Sequence, residues 1–394
     1  DDMKVSNHYS QGYYAAEEVA ESMLERARAV AEGCDNMQGF QFMHSMKEGI
    51  GAGLTSLLQQ KLRDQYPDKI KVNFSVIPEG DRKESSTDEH ILENYNFVLG
   101  LQQMNESSDL IFTIDHSALR RICKERLKLQ REPTMNDYDW ISSLVIAGVT
   151  SPFRFFGEPA ILSNLRKMNT SFSILPSGAA HLQMTHSPFM GNFNEEEYKM
   201  NQDMELSAAQ IKSELFSKSN SVSYSTWKKG DMFSDGKLIQ FATIYKSNNE
   251  AFANKFDQLL RPLCQSMADD AVTWEPMPFL RSGIVKQCEY YDQYVPLVAT
   301  SIAHSTSIHN VYANLRGVFQ KNFLEKAMLS SYFDQGMEES QFAEAERSVA
   351  ALIELYKKHQ DAVLELDGAE ERLSAADDDE EEEEEEDDDD TEEY

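Results

Sequence analysis

A parallel α/β sheet, followed by an α+β region and a pair of helices, is the fold class this sequence predicts. Three observations carry it. Strand-like and helix-like runs alternate over residues 10–129. A glycine-rich turn separates one such strand from the helix after it. From residue 154 onward strands and amphipathic helices mix, and two long helical patterns close the folded part.

Residues 10–32 place Ala15, Val19, Met23, Ala27 and Val30 at helical spacing. Residues 38–44 read as a strand, which Gly49, Gly51 and Gly53 break. Leu54, Leu57, Leu58 and Leu62 then predict a helix over 53–66, ending before Pro67. A strand at 70–77, a polar loop at 79–90, a helix at 91–105, a strand at 109–115 and a helix at 116–129 follow. Ligands of such sheets bind beyond the carboxyl ends of the strands, here residues 45–53, 78–93 and 115–116. Strand, glycine turn and helix together aim backbone N–H groups at a phosphate. Close packing of helix on strand explains the same glycines equally well. Residues 136–149 form a mostly apolar helix. Strands are expected at 172–175 and 238–245, and helices at 207–217, 249–260, 309–332 and 338–366. In the last of these, Phe342, Ala345, Val349, Leu352 and Tyr356 share one face.

The chain has 394 residues and a formal net charge of −31. Residues 377–394 hold sixteen acidic and no basic side chains, and removing those sixteen from −31 leaves −15 for the rest. Such a chain repels nucleic acid and acidic membrane and suits basic partners. Residues 374–394 cannot bury enough surface to fold and read as a disordered acidic tail. The four cysteines are scattered without metal spacing and read as buried thiols in a reducing compartment. No apolar run approaches a membrane span, and no signal peptide opens the chain. No metal cluster, nucleophile elbow or other catalytic set is apparent.

Two distant stretches carry a family resemblance. Cys34-Asp35-Asn36-Met37-Gln38-Gly39-Phe40-Gln41 with His44-Ser45, and Gly336-Met337-Glu338-Glu339-Ser340-Gln341-Phe342, resemble the tubulin family. Phe74-Ser75-Val76-Ile77-Pro78, Tyr95-Asn96, Ile114-Asp115 and Gly148-Val149-Thr150 recur between them in family order. The resemblance spans residues 2 to about 365 and is beta-like, with beta-type length between Cys288 and Ser305. It implies an incomplete tubulin nucleotide-binding domain (1–133), a central helix (134–153), an intermediate α+β domain (154–312), C-terminal helices (313–368) and the acidic tail (369–394). The first strands of the tubulin nucleotide domain are missing. A sheet without them would expose long edges, so a fragment or a truncated gene model is expected.

The resemblance also implies GTP or GDP as cofactor and places its contacts. The phosphate loop corresponds to Lys47-Glu48-Gly49-Ile50-Gly51-Ala52-Gly53. Gly49 and Gly51 keep the family's glycines, Ile50 replaces a phosphate-binding threonine, and Glu48 adds a negative charge that Lys47 offsets in part. Ser45 matches a nucleotide contact, and Glu93 the ribose contact. His116 and Asp139 stand where two asparagines read guanine, Met135 where a tyrosine stacks on the base, and Met3 where an asparagine meets phosphate. An ionised aspartate only accepts hydrogen bonds, so base recognition is altered. At the longitudinal interface Lys167 replaces the glutamate with which an alpha subunit triggers its neighbour's GTP hydrolysis, and a lysine cannot activate water. The loop at 186–199 stands where microtubules make lateral contacts and carries Glu195-Glu196-Glu197.

The terminus Glu392-Glu393-Tyr394 resembles that of alpha tubulins, where the tyrosine is removed and restored and glutamates are modified. The function implied is a divergent beta-like tubulin, a structural constituent of microtubules that binds nucleotide weakly or not at all and has weak or no GTPase activity. Alpha tubulin or other tubulin subunits are its implied partners, with microtubule-associated proteins or motors on the tail. Cytoplasm and cytoskeleton are its implied location, cilium or axoneme included. The alternative is a non-polymerising, tubulin-like interaction protein acting through its tail or one tubulin face.

Overall fold

The computed structural model describes residues 7–79, 87–154, 164–173, 180–187, 218–223, 236, 238–247, 280–281 and 297–361. The predicted helices at 207–217 and 249–260, the loop residues 188–199 and the acidic tail lie outside these residues.

The chain opens with helices α1 (Tyr9–Tyr14) and α2 (Glu17–Glu32), then strand β1 (Gly39–Ser45). The sequence predicts one helix over 10–32, but Ala15 and Ala16 interrupt it. The break lets two helices meet two different supports. α1 lies on the glycine turn, while Ala20 and Leu24 of α2 pack on Leu57, Leu58 and Leu62. A π-helical turn (Ile50–Leu54) runs straight into α3 (Thr55–Gln65). β2 (Ile70–Ile77), α4 (Asp88–Ser107), β3 (Leu110–Asp115) and α5 (His116–Glu125) follow in the predicted alternation. Asp88 and Glu89 in the first turn of α4 oppose the positive end of its dipole. Asp115 caps α5, its carboxylate accepting from Ser117 N–H at 2.9 Å.

α6 (Met135–Val149) is capped by Asp137, whose carboxylate accepts from Thr134 N–H at 2.7 Å. Bonding to Arg131 holds the Asp137 carboxyl well below the usual carboxylate range. α7 (Ser151–Arg154) and α8 (Leu165–Phe172) come next. The strand expected at 172–175 is corrected at its first residue, which ends α8. Leu165, Met168 and Phe172 follow helical spacing, and Met168 and Phe172 are fully buried. The remaining elements are β4 (Ala180–Ser187), β5 (Leu238–Ser247), β6 (Leu280–Arg281), β7 (Leu297–Ser305), α9 (Ile308–Leu324), α10 (Ser330–Phe333) and α11 (339–361).

Among the described residues, seven strands form one sheet in the order β1-β2-β3-β4-β7-β5-β6. β1 through β4 are parallel, and β7 runs antiparallel to both β4 and β5. β3 is buried along its whole length, as a central strand covered on both faces must be. One face carries α4, α9 and α11, where Tyr95, Phe319, Tyr332 and Phe342 meet ring to ring. The other carries α5, α6 and α8 on Phe74, Phe112 and Ile302. Among the described residues, no helix is long and apolar enough to cross a membrane, and no group of His, Cys, Asp and Glu could hold a metal.

Candidate functional site

The carboxyl ends of β1, β2 and β3 bring Ser45, Ile77 and Asp115 to one edge of the sheet, beside the glycine turn and the first turns of α4 and α5. The turn is pinned at its start. Met46 N–H donates to Val76 O at 2.8 Å and Lys47 N–H to Ser45 Oγ at 3.3 Å. His44, on the last part of β1, fixes it from behind. Its Nδ1 lies 2.8 Å from Gly51 O and its Nε2 2.8 Å from Ser75 Oγ. A carbonyl only accepts, so Nδ1 carries the proton and Nε2 accepts from the serine. Burial pushes the His44 pKa down to about 4, which keeps this arrangement neutral.

The glycines have a packing role. A Cβ on Gly49 would lie 2.2 Å from His8 O, and one on Gly53 2.2 Å from Tyr9 O. Only residues without a Cβ let α1 lie against the turn this closely. One on Gly51 would lie 2.0 Å from Ser45 O. The side-chain faces of these glycines are therefore filled by the protein's own backbone. Ile50 is 38 % exposed, and Glu48 is exposed.

α4 grips the turn from the side. Lys47 Nζ lies 2.9 Å from Glu93 Oε1, with the two side chains only 20 % and 15 % exposed. This corrects the expectation that Lys47 offsets Glu48, because the ammonium is paired with the Glu93 carboxylate instead. One helical turn further along, Asn96 Nδ2 donates to Lys47 O at 2.9 Å and to Asn7 O at 2.6 Å. Asn96 Oδ1 accepts from Tyr9 N–H and from Tyr332 O–H, each at 2.8 Å. The amide of this fully buried residue thus uses both donors and both lone-pair directions.

The structure gathers Ser45, Gly49, Ile50, Gly51 and Glu93 about the turn. His116 opens α5, its ring edge-on to Tyr138 at 4.6 Å. Asp139 and Met135 are exposed on α6. Lys167 is exposed on the first turn of α8, its N–H donating to the Asn164 side chain at 2.8 Å. Met3, Glu392, Glu393 and Tyr394 lie outside the described residues. Sequence reasoning missed the pairing of Lys47 with Glu93 and the role of Asn96. The available signals were the opposite charges of Lys47 and Glu93, and the amides Asn94 and Asn96 set among the apolar residues of α4.

The donor set fits a phosphate and a ribose at the turn end, where Ser45, the turn backbone and Glu93 converge. At the start of α5 the His116 ring packs edge-on against Tyr138.

Comparison with known proteins agrees with this geometry. The model of the Tubulin/FtsZ family, GTPase domain, matches residues 1–124. The chain is 30 % identical over 366 residues to the tubulin beta-1 chain of Homo sapiens, covering 93 % of this chain and 75 % of that one. It is 30 % identical over 365 residues to the tubulin beta-1 chain of Geotrichum candidum, covering 92 % and 76 %. It is 29 % identical over 366 residues to the tubulin beta chain of Coprinopsis cinerea, covering 93 % and 76 %. With the parallel sheet, the glycine turn and coverage of this extent, the chain belongs to the tubulin family, as a divergent, beta-like member.

Proposed function

We propose that this protein is a structural subunit of microtubules, paired with alpha tubulin or another tubulin subunit, and that it keeps a weak guanine-nucleotide site with little or no GTPase activity. The observation that carries the nucleotide part is the convergence of the glycine turn, Ser45 and Glu93 at the carboxyl ends of the parallel strands. GTP or GDP would be held by the turn backbone and Ser45 at the phosphates and by Glu93 at the ribose. His116 and Asp139 would face the base and recognise it poorly, since neither offers the paired donor and acceptor of an amide. Lys167 would lie at the longitudinal interface, where a lysine can steady a neighbour's phosphates without activating water.

The acidic tail would recruit basic microtubule-associated proteins and motors, and Glu392, Glu393 and Tyr394 would be its modification sites. Cytoplasmic microtubules, those of a cilium or axoneme included, are the setting this reading implies. The test is co-assembly of the full-length chain with brain tubulin, followed by sedimentation. Incorporation that scales with polymer mass supports a subunit. A chain that stays in the supernatant, or binds finished polymer only through its tail, supports a non-polymerising interaction protein instead.

A further inference from the structure

We propose that Lys47 is a built-in stopper on the sugar side of the nucleotide site: its ammonium holds Glu93, and a nucleoside reaches that carboxylate only by displacing it. The proposal rests on the nucleotide reading above and deepens it.

Both groups of the pair are largely withdrawn from water, Nζ to Oε1 is 2.9 Å, and the pair bridges the glycine turn and α4. The backbone of Lys47 is fixed independently, by Asn96 Nδ2 at its carbonyl and by Ser45 Oγ at its N–H. Only the lysine side chain is free to leave. A charged donor holds a carboxylate more strongly than a neutral hydroxyl does. A ribose hydroxyl that displaces the ammonium therefore gains little. The sugar contact, which would otherwise favour ribonucleotides, is cancelled by the chain's own lysine. An ammonium that moved to a phosphate instead would free Glu93 for the ribose, and the native protein would then prefer GTP as the variants do. Discrimination between sugars therefore isolates the stopper from any effect of Lys47 on the phosphates.

The experiment titrates GTP and 2′,3′-dideoxy-GTP into the full-length protein and into Lys47→Gly by calorimetry, with Lys47→Ala beside it in case the added glycine loosens the turn. The native protein is expected to bind the two nucleotides within about twofold of each other. The variants are expected to prefer GTP by about tenfold or more, the effect of one hydrogen bond to a charged acceptor. Adding Glu93→Gln to Lys47→Gly should remove that preference. A native protein that already prefers GTP tenfold overturns the stopper and leaves the nucleotide site standing. So does a Lys47→Gly variant that weakens both nucleotides equally. Failure of every variant to bind either nucleotide at millimolar concentration overturns the nucleotide reading itself, and the stopper with it.

Discussion

Asn96 holds Lys47 by its main chain: the side-chain amide of the one donates to the carbonyl of the other at 2.9 Å, while Glu93, three residues earlier on the same helix, takes the ammonium. The same amide accepts from Tyr332 O–H, so the glycine turn and the C-terminal helices share one buried residue. Four hydrogen bonds at Asn96 join the two sides.

Replacing Asn96 tests that linkage. Asn96→Ala leaves several buried partners unsatisfied, each worth about 1–3 kcal/mol. The melting free energy should fall by about 3 kcal/mol or more. Asn96→Asp should be no better, because a carboxylate cannot donate to the carbonyls of Asn7 and Lys47. Chemical denaturation of the two variants checks this.

The glycine turn gives a second prediction with its own control. Gly49→Ala and Gly53→Ala drive a methyl group onto backbone at 2.2 Å and should displace α1 or prevent folding. Gly317, in α9, has nothing within 4 Å of an added Cβ. Gly317→Ala should stabilise the protein by about 0.5–1 kcal/mol. Thermal melts of the three variants read both signs.

Phe342 stands at the centre of the aromatic cluster and meets Tyr95, Phe319, Phe323, Tyr332 and Phe333. Phe342→Ala should lower stability by about 3–5 kcal/mol. Proteolysis should then cut first in α11, which loses its ring contacts with α4, α9 and α10.

Acid should destabilise the fold through two histidines. His304 is fully buried, with Nδ1 3.0 Å from Phe172 O and Nε2 3.1 Å from Tyr356 Oη, and burial lowers its pKa to about 4. His44 is lowered likewise, to about 4. Both bind protons more readily once unfolded, so their contribution is complete above the ordinary value of 6.5 and is lost as pH falls toward 4. For His304 the loss is on the order of 3 kcal/mol. His304→Gln should flatten the dependence of stability on pH between 6.5 and 4, measured by urea unfolding at several pH values.

The parallel half of the fold was legible because period and punctuation agree there. Helical spacing in Leu54, Leu57, Leu58 and Leu62 and the run Leu110–Asp115 each allow one reading. The break at Ala15–Ala16 was not legible, since two alanines carry no stop signal and only the separate partners of α1 and α2 explain it. Phe172 misled because a short apolar run cannot be told from a helix end by composition. That Ser45, Gly49 and Glu93 lie about the turn at the carboxyl ends of the strands was legible, but whether Lys47 faces Glu48 or Glu93 depends on the approach of α4 to the turn. That approach is set by packing some fifty residues away.

The most direct test of the account is the guanine-nucleotide content of the purified full-length chain, released by denaturation and quantified by chromatography. A stopped, base-altered site predicts well under one nucleotide per chain, with binding recovered only when nucleotide is added in excess. One GTP or GDP retained per chain through purification would contradict it, and would mean that Lys47, His116 and Ile50 leave a working tubulin site intact.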